Sequence, residues 1–401
     1  MEEIKTLSDF YQLMNEARAL RVQIVEKYLN GEGVFGEMVE GLSAFLGRLE
    51  AIPKNNEFYI LSLDGEKTID LDLSYEIGEL KKDIYFLTHS EEEFFDFLDG
   101  IHDNFKEQVS EGAGLLKGVD LKTFITDRDG TVNNYCGRYA SSVQSVYNAV
   151  FMTRFARSCV ENGIILTSAP LDKIGLVEIS VNPENVFVYA GSKGREYFNK
   201  QGERCQFPIE KQKQSKLDLI NERLSALVQQ PEYEKFSLIG SGLQFKFGQT
   251  TIARQDISRT IPEDESMAFL KLMQEIVSEI DPGGTYFRIE DTGKDVEIIL
   301  TVESQDSASE LKDFDKGDGV VFLDSDIGLG MEEGASLICG DTSADIPMIS
   351  ASLEKTQDTY AIFVTQDQEL SKRVAAVCEK SVCVTEPDIL VAILNRLALF
   401  A

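Results

Sequence analysis

The chain has 401 residues, too many for one ordinary hydrophobic core, and two or three packed units are expected. Hydrophobic residues make up 43% and charged residues 27%, which excludes a largely disordered chain. With 69 acidic against 39 basic residues the formal net charge is −30, so nucleic acid and anionic membrane faces are expected to be repelled and no partner of either kind is predicted.

Apolar residues recur at helical spacing from Leu7 to Leu29, with Ser8 as the expected N-cap, and again from Val34 to Leu49. Phe58 to Leu63 reads as a short strand. A third helix is predicted from Ser90, where Glu93 completes a capping box ahead of Phe94, Phe95, Phe97 and Leu98. Residues 1–115 thus form a mostly helical leader without recognisable chemistry, expected to serve packing or homo-oligomerisation through its helices, with substrate contact as the alternative. Its start is acidic and unlike a signal peptide, and no apolar run nears the length of a membrane span. The six cysteines lie far apart with no CxxC, which predicts reduced, mostly buried thiols in a cytoplasmic protein.

Lys122 to Thr126 is a β-rich run that breaks into Asp127-Arg128-Asp129-Gly130-Thr131. A helix is predicted from Ser141 to Glu161, ended by Gly163, and Ile164 to Leu166 is an apolar strand running into Thr167. Apolar strands are predicted again at Val320–Leu323, Ala335–Cys339, Tyr360–Val364 and Ser381–Val384, with helices at Asp367–Lys380 and Pro387–Leu399. Continuous apolar strands alternating with helices predict an α/β fold with a parallel sheet covered on both faces. Between these halves the texture changes to alternating strands at Leu243–Phe247, Thr250–Arg254, Tyr286–Ile289 and Val296–Leu300, with helices near Lys216–Leu227 and Glu263–Ile280 and a turn at Pro282-Gly283-Gly284. That predicts an α+β cap inserted into the core. The expected division is 1–115 helical region, 116–190 with 301–401 core, and 191–300 cap.

In open α/β sheets ligands bind beyond the carboxyl ends of the strands. Four strings of polar residues stand at or near such positions: Asp127 with Asp129, Thr167, Lys316 in Phe314-Asp315-Lys316-Gly317, and Gly340-Asp341-Thr342-Ser343-Ala344-Asp345. They supply a nucleophile, an acid/base, a hydroxyl, an ammonium and metal-ligating carboxylates. A carboxylate can attack phosphorus in line if the charges are neutralised, as Mg²⁺ and a Lys would do.

These strings, in this order, resemble the four motifs of the haloacid dehalogenase superfamily phosphatases: DxDGT, a strand-terminal Thr or Ser, a Lys, and GDxxxD. The resemblance covers about 280 residues. It implies a Rossmann-like core with an inserted cap, Asp127 as nucleophile and metal ligand, and Asp129 as acid/base with its backbone carbonyl toward the metal. It further implies that Thr167 and Lys316 bind phosphate and that Asp341 and Asp345 complete an Mg²⁺ site. Ser168 is the alternative hydroxyl to Thr167. Gly191-Ser192-Lys193-Gly194-Arg195-Glu196 resembles the GxHGxE segment of trehalose 6-phosphate phosphatases, and Val296-Glu297-Ile298 with Asp315-Lys316-Gly317 resembles their LEVRP and DKG segments. Lys193 stands in place of His, Ile299 in place of Arg, and Ser168-Ala169 where many relatives carry Gly-Arg.

A small-molecule sugar phosphate is therefore the expected substrate, trehalose 6-phosphate first, with Lys193, Glu196, Lys246, Arg254 and Glu297 as candidate sugar-pocket residues. Sucrose phosphate, glucosylglycerol phosphate and mannosyl phosphoglycerate remain open, as do a mutase and a catalytically silent sugar-phosphate sensor. His89 and His102 are assigned no role.

Overall fold

The computed structural model describes residues 3–33, 35–62, 68–173, 175–256, 259, 261–303 and 311–400. Val34 and Leu63, each at one end of an expected element, lie outside the described residues. The chain divides into two compact units, one of residues 1–165, 177–188 and 328–401, the other of residues 166–176 and 189–327.

In the first unit, five parallel strands stand in the order Ser381–Val384, Thr359–Val364, Ala335–Gly340, Leu121–Thr126 and Asn162–Leu166. Ala335–Gly340 is buried at every position and Leu121–Thr126 at all but one. This is the signature of a sheet covered on both faces. The helices Val146–Cys159, Ile346–Lys355, Gln368–Val377 and Pro387–Ala398 belong to this unit. The α/β architecture with a parallel-sheet core and a helical N-terminal region is as the sequence predicts.

That N-terminal region holds helices Leu7–Leu29, Gly36–Glu50, Ser74–Thr88, Glu91–Ile101 and Phe105–Leu115, and an antiparallel ribbon of Lys54–Asn55, Phe58–Ser62 and Thr68–Leu71. Its first helix is capped by Thr6 and not by the expected Ser8: Thr6 Oγ1 accepts from Asp9 N at 3.1 Å while Asp9 Oδ2 accepts from Thr6 N at 2.9 Å. The Ser90–Glu93 capping box is present as predicted. The apolar face of helix Leu7–Leu29 is buried inside the unit, with Phe10, Leu13, Met14, Ala17, Ile24 and Val25 at 1% exposure or less, whereas Val39, Phe45 and Leu46 of helix Gly36–Glu50 are half-buried. Phe86 and Phe94 meet Tyr147 and Phe151 of the Val146–Cys159 helix, the Phe86 and Phe151 rings edge-to-face at 5.6 Å, so the leader and the core share one aromatic cluster.

Two expectations near the core need correction. The helix predicted from Ser141 begins at Val146, after a short 3₁₀ turn at Tyr139–Ser141. Gly163 does not end a helix; it lies inside a strand, where a side chain would meet the Phe187 ring at 2.9 Å.

The second unit carries an antiparallel sheet in the order Phe287–Asp291, Asp295–Glu303, Gln249–Ala253 and Leu243–Lys246, with Leu311–Asp313 added to the long strand. One face is apolar through Ile252, Val296, Ile298 and Leu300 and packs on helices Lys211–Leu227 and Glu263–Ile280. A second antiparallel ribbon runs Val188–Gly191, Glu196–Phe198, Arg204–Gln206. Val320–Leu323, predicted as a strand, is the last turn of helix Lys316–Leu323. An Asp315–Asp318 capping box starts that helix, so the local cap overrides an apolar run too short to show its own period. No helix among the described residues is long and apolar enough to cross a membrane.

Candidate active site

Leu121–Thr126 and Ala335–Gly340 are neighbouring parallel strands, and at their carboxyl ends the Asp127 N–H donates to the Cys339 carbonyl at 3.0 Å. This registers the start of one polar string against the other. Asp127, Asp341 and Asp345 each bring a carboxylate oxygen within 4.8 Å of the others. Asp345 Oδ2 accepts from the backbone N–H groups of Asp341 (3.1 Å) and Thr342 (2.9 Å) and from Thr342 Oγ1 (3.0 Å). Asp341 Oδ1 accepts from Thr131 Oγ1 at 3.0 Å. Gly130, with φ +85°, lies so close that any Cβ there would overlap the Asp341 carboxylate, so glycine is required both by conformation and by space. Three like charges gathered at partly buried positions call for a cation, and an all-carboxylate donor set suits a hard divalent ion. The residues present fit such a metal.

Asp129 turns elsewhere. Its Oδ1 accepts from the Arg128 guanidinium and from Ser142 Oγ at 3.1 Å. Burial disfavours the charge of Arg128, but the Asp129 carboxylate beside it holds the guanidinium pKa above its ordinary value. Arg128 also donates to Ser142 Oγ at 3.0 Å and to the Ser142 carbonyl. Asn133 Nδ2 reaches Ser142 Oγ at 3.2 Å and Tyr75 Oη at 3.0 Å, and Tyr75 Oη donates to the Val143 carbonyl at 2.9 Å. The Tyr139 hydroxyl is buried without a hydrogen-bond partner among the described residues, and burial followed by Asp129 drives its pKa well up. Arg128, Ser142, Asn133 and Tyr75 escaped the sequence reading. Arg128 stood inside a motif whose second position carries no expectation, and Tyr75 lies 58 residues from Asn133.

In the second unit Lys193 N–H donates to the Thr167 carbonyl and Thr167 N–H to the Ala190 carbonyl, both at 2.9 Å. Gly194 and Gly319 are packed backbone to backbone, a Cβ on Gly194 lying 2.7 Å from Gly319 Cα, which seats the Lys193 turn on the helix that Lys316 begins. Lys193 itself has φ +63°. Thr167, Lys193 and Lys316 are thus held by one set of backbone contacts. Glu297 lies 3.6 Å from Lys193 Nζ and 3.8 Å from Lys246 Nζ. Burial works to raise the Glu297 pKa, but Lys246 and then Lys193 outweigh it and hold the carboxyl below its ordinary value. Burial pulls Lys246 down. Glu196 accepts from Ser192 Oγ at 2.8 Å and pairs with Arg204. Arg254 is not part of the Lys193–Lys246–Glu297 group; its guanidinium pairs with Asp291 at 2.7 Å and bonds Ser266 Oγ at 2.7 Å.

A family model described as "Trehalose-6-phosphate phosphatase, C-terminal" matches residues 124–390, and one described as "Trehalose-6-phosphate phosphatase N-terminal helical bundle domain" matches residues 6–104. Among curated proteins, "Alpha,alpha-trehalose-phosphate synthase [UDP-forming] 2" of Caenorhabditis elegans is 32% identical over 394 residues, covering 94% of this chain and 32% of the relative. The chain therefore spans about a third of the length of the synthases it matches. "Trehalose-phosphatase" of Caenorhabditis elegans is 27% identical, with 96% of this chain and 94% of the relative covered. Of solved structures, the Candida albicans trehalose-6-phosphate phosphatase C-terminal domain aligns with a TM-score of 0.48 and 14% identity, covering 72% of this chain and 96% of that one.

Proposed function

We propose that this chain, which belongs to the trehalose-6-phosphate phosphatase family, is a phosphoric monoester hydrolase that releases phosphate from trehalose 6-phosphate through an aspartyl-phosphate on Asp127. The observation that carries the reading is the convergence of Asp127, Asp341 and Asp345 at the ends of adjacent parallel strands, with Asp127 at the terminus of its strand.

In the first half-reaction an Asp127 oxygen forms a bond to phosphorus as the bond from phosphorus to the sugar oxygen breaks, and Asp129 gives its proton to the departing alkoxide. In the second, Asp129 takes a proton from water, the water oxygen bonds to phosphorus, and the bond from phosphorus to Asp127 breaks. Thr167 and Lys316 are assigned the non-bridging phosphate oxygens, the Lys316 ammonium offsetting their charge. Asp127, Asp341 and Asp345, with the Asp129 carbonyl, would hold Mg²⁺, which when bound would supply positive charge to offset that of the phosphate. Lys193, Lys246 and Glu297 offer both donors and an acceptor from one place, as a polyhydroxylated sugar needs. The six unbonded thiols suit a reducing, cytoplasmic compartment.

The test is phosphate release from trehalose 6-phosphate, sucrose 6-phosphate, glucosylglycerol phosphate and glucose 6-phosphate, with Mg²⁺ and with EDTA. The reading expects Mg²⁺-dependent preference for trehalose 6-phosphate that disappears in Asp127→Asn. Equal rates on all four sugars would remove the substrate assignment.

A further inference from the structure

We propose that Arg128, Ser142, Asn133 and Tyr75 form a hydrogen-bonded clamp that orients the Asp129 carboxylate, which makes the N-terminal helical region a positioning part of the catalytic apparatus. The inference rests on the phosphatase reading above and deepens it.

The centre of the clamp is the Ser142 hydroxyl, which has one proton to give and two lone pairs to fill. Arg128 Nη1 at 3.0 Å and Asn133 Nδ2 at 3.2 Å can only donate to it, the two Asn133 amide protons being shared among Ser142 Oγ, Tyr75 Oη at 3.0 Å and the Asn134 carbonyl at 2.9 Å. The single hydroxyl proton is thereby directed to Asp129 Oδ1 at 3.1 Å. Arg128 donates to the same oxygen and, through Nη2, to the Ser142 carbonyl. Two donors hold Oδ1, whereas Oδ2 has no partner among the described residues. The clamp thus fixes the carboxylate through Oδ1 and leaves Oδ2 to the acid/base role assigned to Asp129.

The clamp is anchored outside the core. Asn133 Nδ2 also donates to Tyr75 Oη at 3.0 Å, and the Tyr75 proton faces the Val143 carbonyl at 2.9 Å, so the chain of bonds ends on helix Ser74–Thr88. That helix is fixed in turn by Asp83, whose carboxylate takes Arg21 Nε and the Val146 N–H, both at 2.6 Å. Arg128, Ser142, Asn133 and Tyr75 are buried and Asp129 is partly exposed, so turning Asp129 away would strand its two donors, the Arg128 guanidinium and the Ser142 hydroxyl, in a largely buried place. A reacting group held this way needs no reorganisation when substrate arrives.

The experiment uses leaving-group dependence, which a merely structural role would not move. A sugar alkoxide must be protonated as it leaves; a 4-nitrophenolate need not be. We would measure kcat/KM with Mg²⁺ on trehalose 6-phosphate and on 4-nitrophenyl phosphate for the parent chain, Ser142→Ala and Tyr75→Phe, with a melting curve for each. The ratio of the two kcat/KM values, sugar over aryl, is expected to fall about tenfold in Ser142→Ala and about threefold in Tyr75→Phe. Tyr75→Phe keeps its ring in place and so carries the test if Ser142→Ala fails to fold. An unchanged ratio in a folded variant overturns the clamp while leaving the phosphatase reading standing. A parent chain inactive on both esters overturns that reading itself.

Discussion

Lys82 Nζ lies 3.1 Å and 3.0 Å from the two carboxylate oxygens of Asp388, joining helix Ser74–Thr88 to helix Pro387–Ala398 across 306 positions of sequence. Glu79 lies 2.6 Å from the same ammonium, and His102 Nε2, Tyr147 Oη and Asn134 Nδ2 also reach Asp388. Burial works to raise the Asp388 carboxyl, but Lys82 and His102 hold it well below the usual range. Removing one partner of such a group leaves uncompensated charge in the interior. Asp388→Ala should therefore lower unfolding free energy by about 3–5 kcal/mol, read from the urea midpoint at constant slope.

Glu76 gives a pH dependence of opposite character. Burial lifts its carboxyl to about 7 despite the opposing hydrogen bonds of Ser141 and Cys136, and Glu76 Oε2 has no hydrogen-bond partner among the described residues. Its folded pKa is raised, so between its ordinary value and about 7 the folded chain binds a proton that the unfolded chain has lost. Stability is therefore full at the acid end of that window and falls as pH rises through it. Glu76→Gln should flatten this fall and gain roughly 3 kcal/mol at pH 8 relative to pH 4, measured by denaturant unfolding at both pH values. An equal change at both ends would contradict the assignment.

The three clustered carboxylates predict a metal response separate from turnover. Saturating Mg²⁺ should stabilise the parent chain, by about 2.7 kcal/mol at a hundred times Kd, and raise its melting temperature. Asp341→Asn should abolish that rise while melting no lower than the parent in EDTA, because it removes one of three like charges.

Gly130→Ala should be far worse than an ordinary surface change. The left-handed φ of +85° costs about 1–2 kcal/mol for a residue with a Cβ, and that atom would displace the Asp341 carboxylate. Phosphate release should drop more than about tenfold, beyond what the loss in melting temperature explains.

Glu297 and Arg254 separate two kinds of cap residue. Glu297→Gln should raise KM for trehalose 6-phosphate several-fold, on the order of one lost charged contact, and leave 4-nitrophenyl phosphate unchanged. Arg254→Met breaks the Asp291 pair and should lower stability without altering that KM.

Much of the architecture was legible because the fold announces itself in period and punctuation. Leu7–Leu29 and Glu263–Ile280 show long amphipathic repeats, and the apolar strands ending at Thr126, Gly340 and Val364 are bounded by polar turns. Val320–Leu323 failed because four apolar residues fit strand and helix equally, and the deciding cap lay upstream at Asp315. Helix Ser74–Thr88 was missed because the residues it buries mix charge with apolar groups, Glu76, Glu79, Lys82 and Asp83 beside Tyr75, Ile77, Leu80 and Phe86, and the buried charges interrupt the apolar period.

The sequence alone determined which chemical groups are present and in what order, since the motif strings bind Asp127, Asp129, Asp341 and Asp345 to strand ends or to the turn just past them by local geometry. Tertiary structure decided what each group faces: that Asp127, Asp341 and Asp345 converge, that Arg254 is committed to Asp291, and that Asp129 is tied through Ser142 and Asn133 to Tyr75. Those pairings depend on side chains brought together from distant parts of the chain by burial, and no local pattern carries that information.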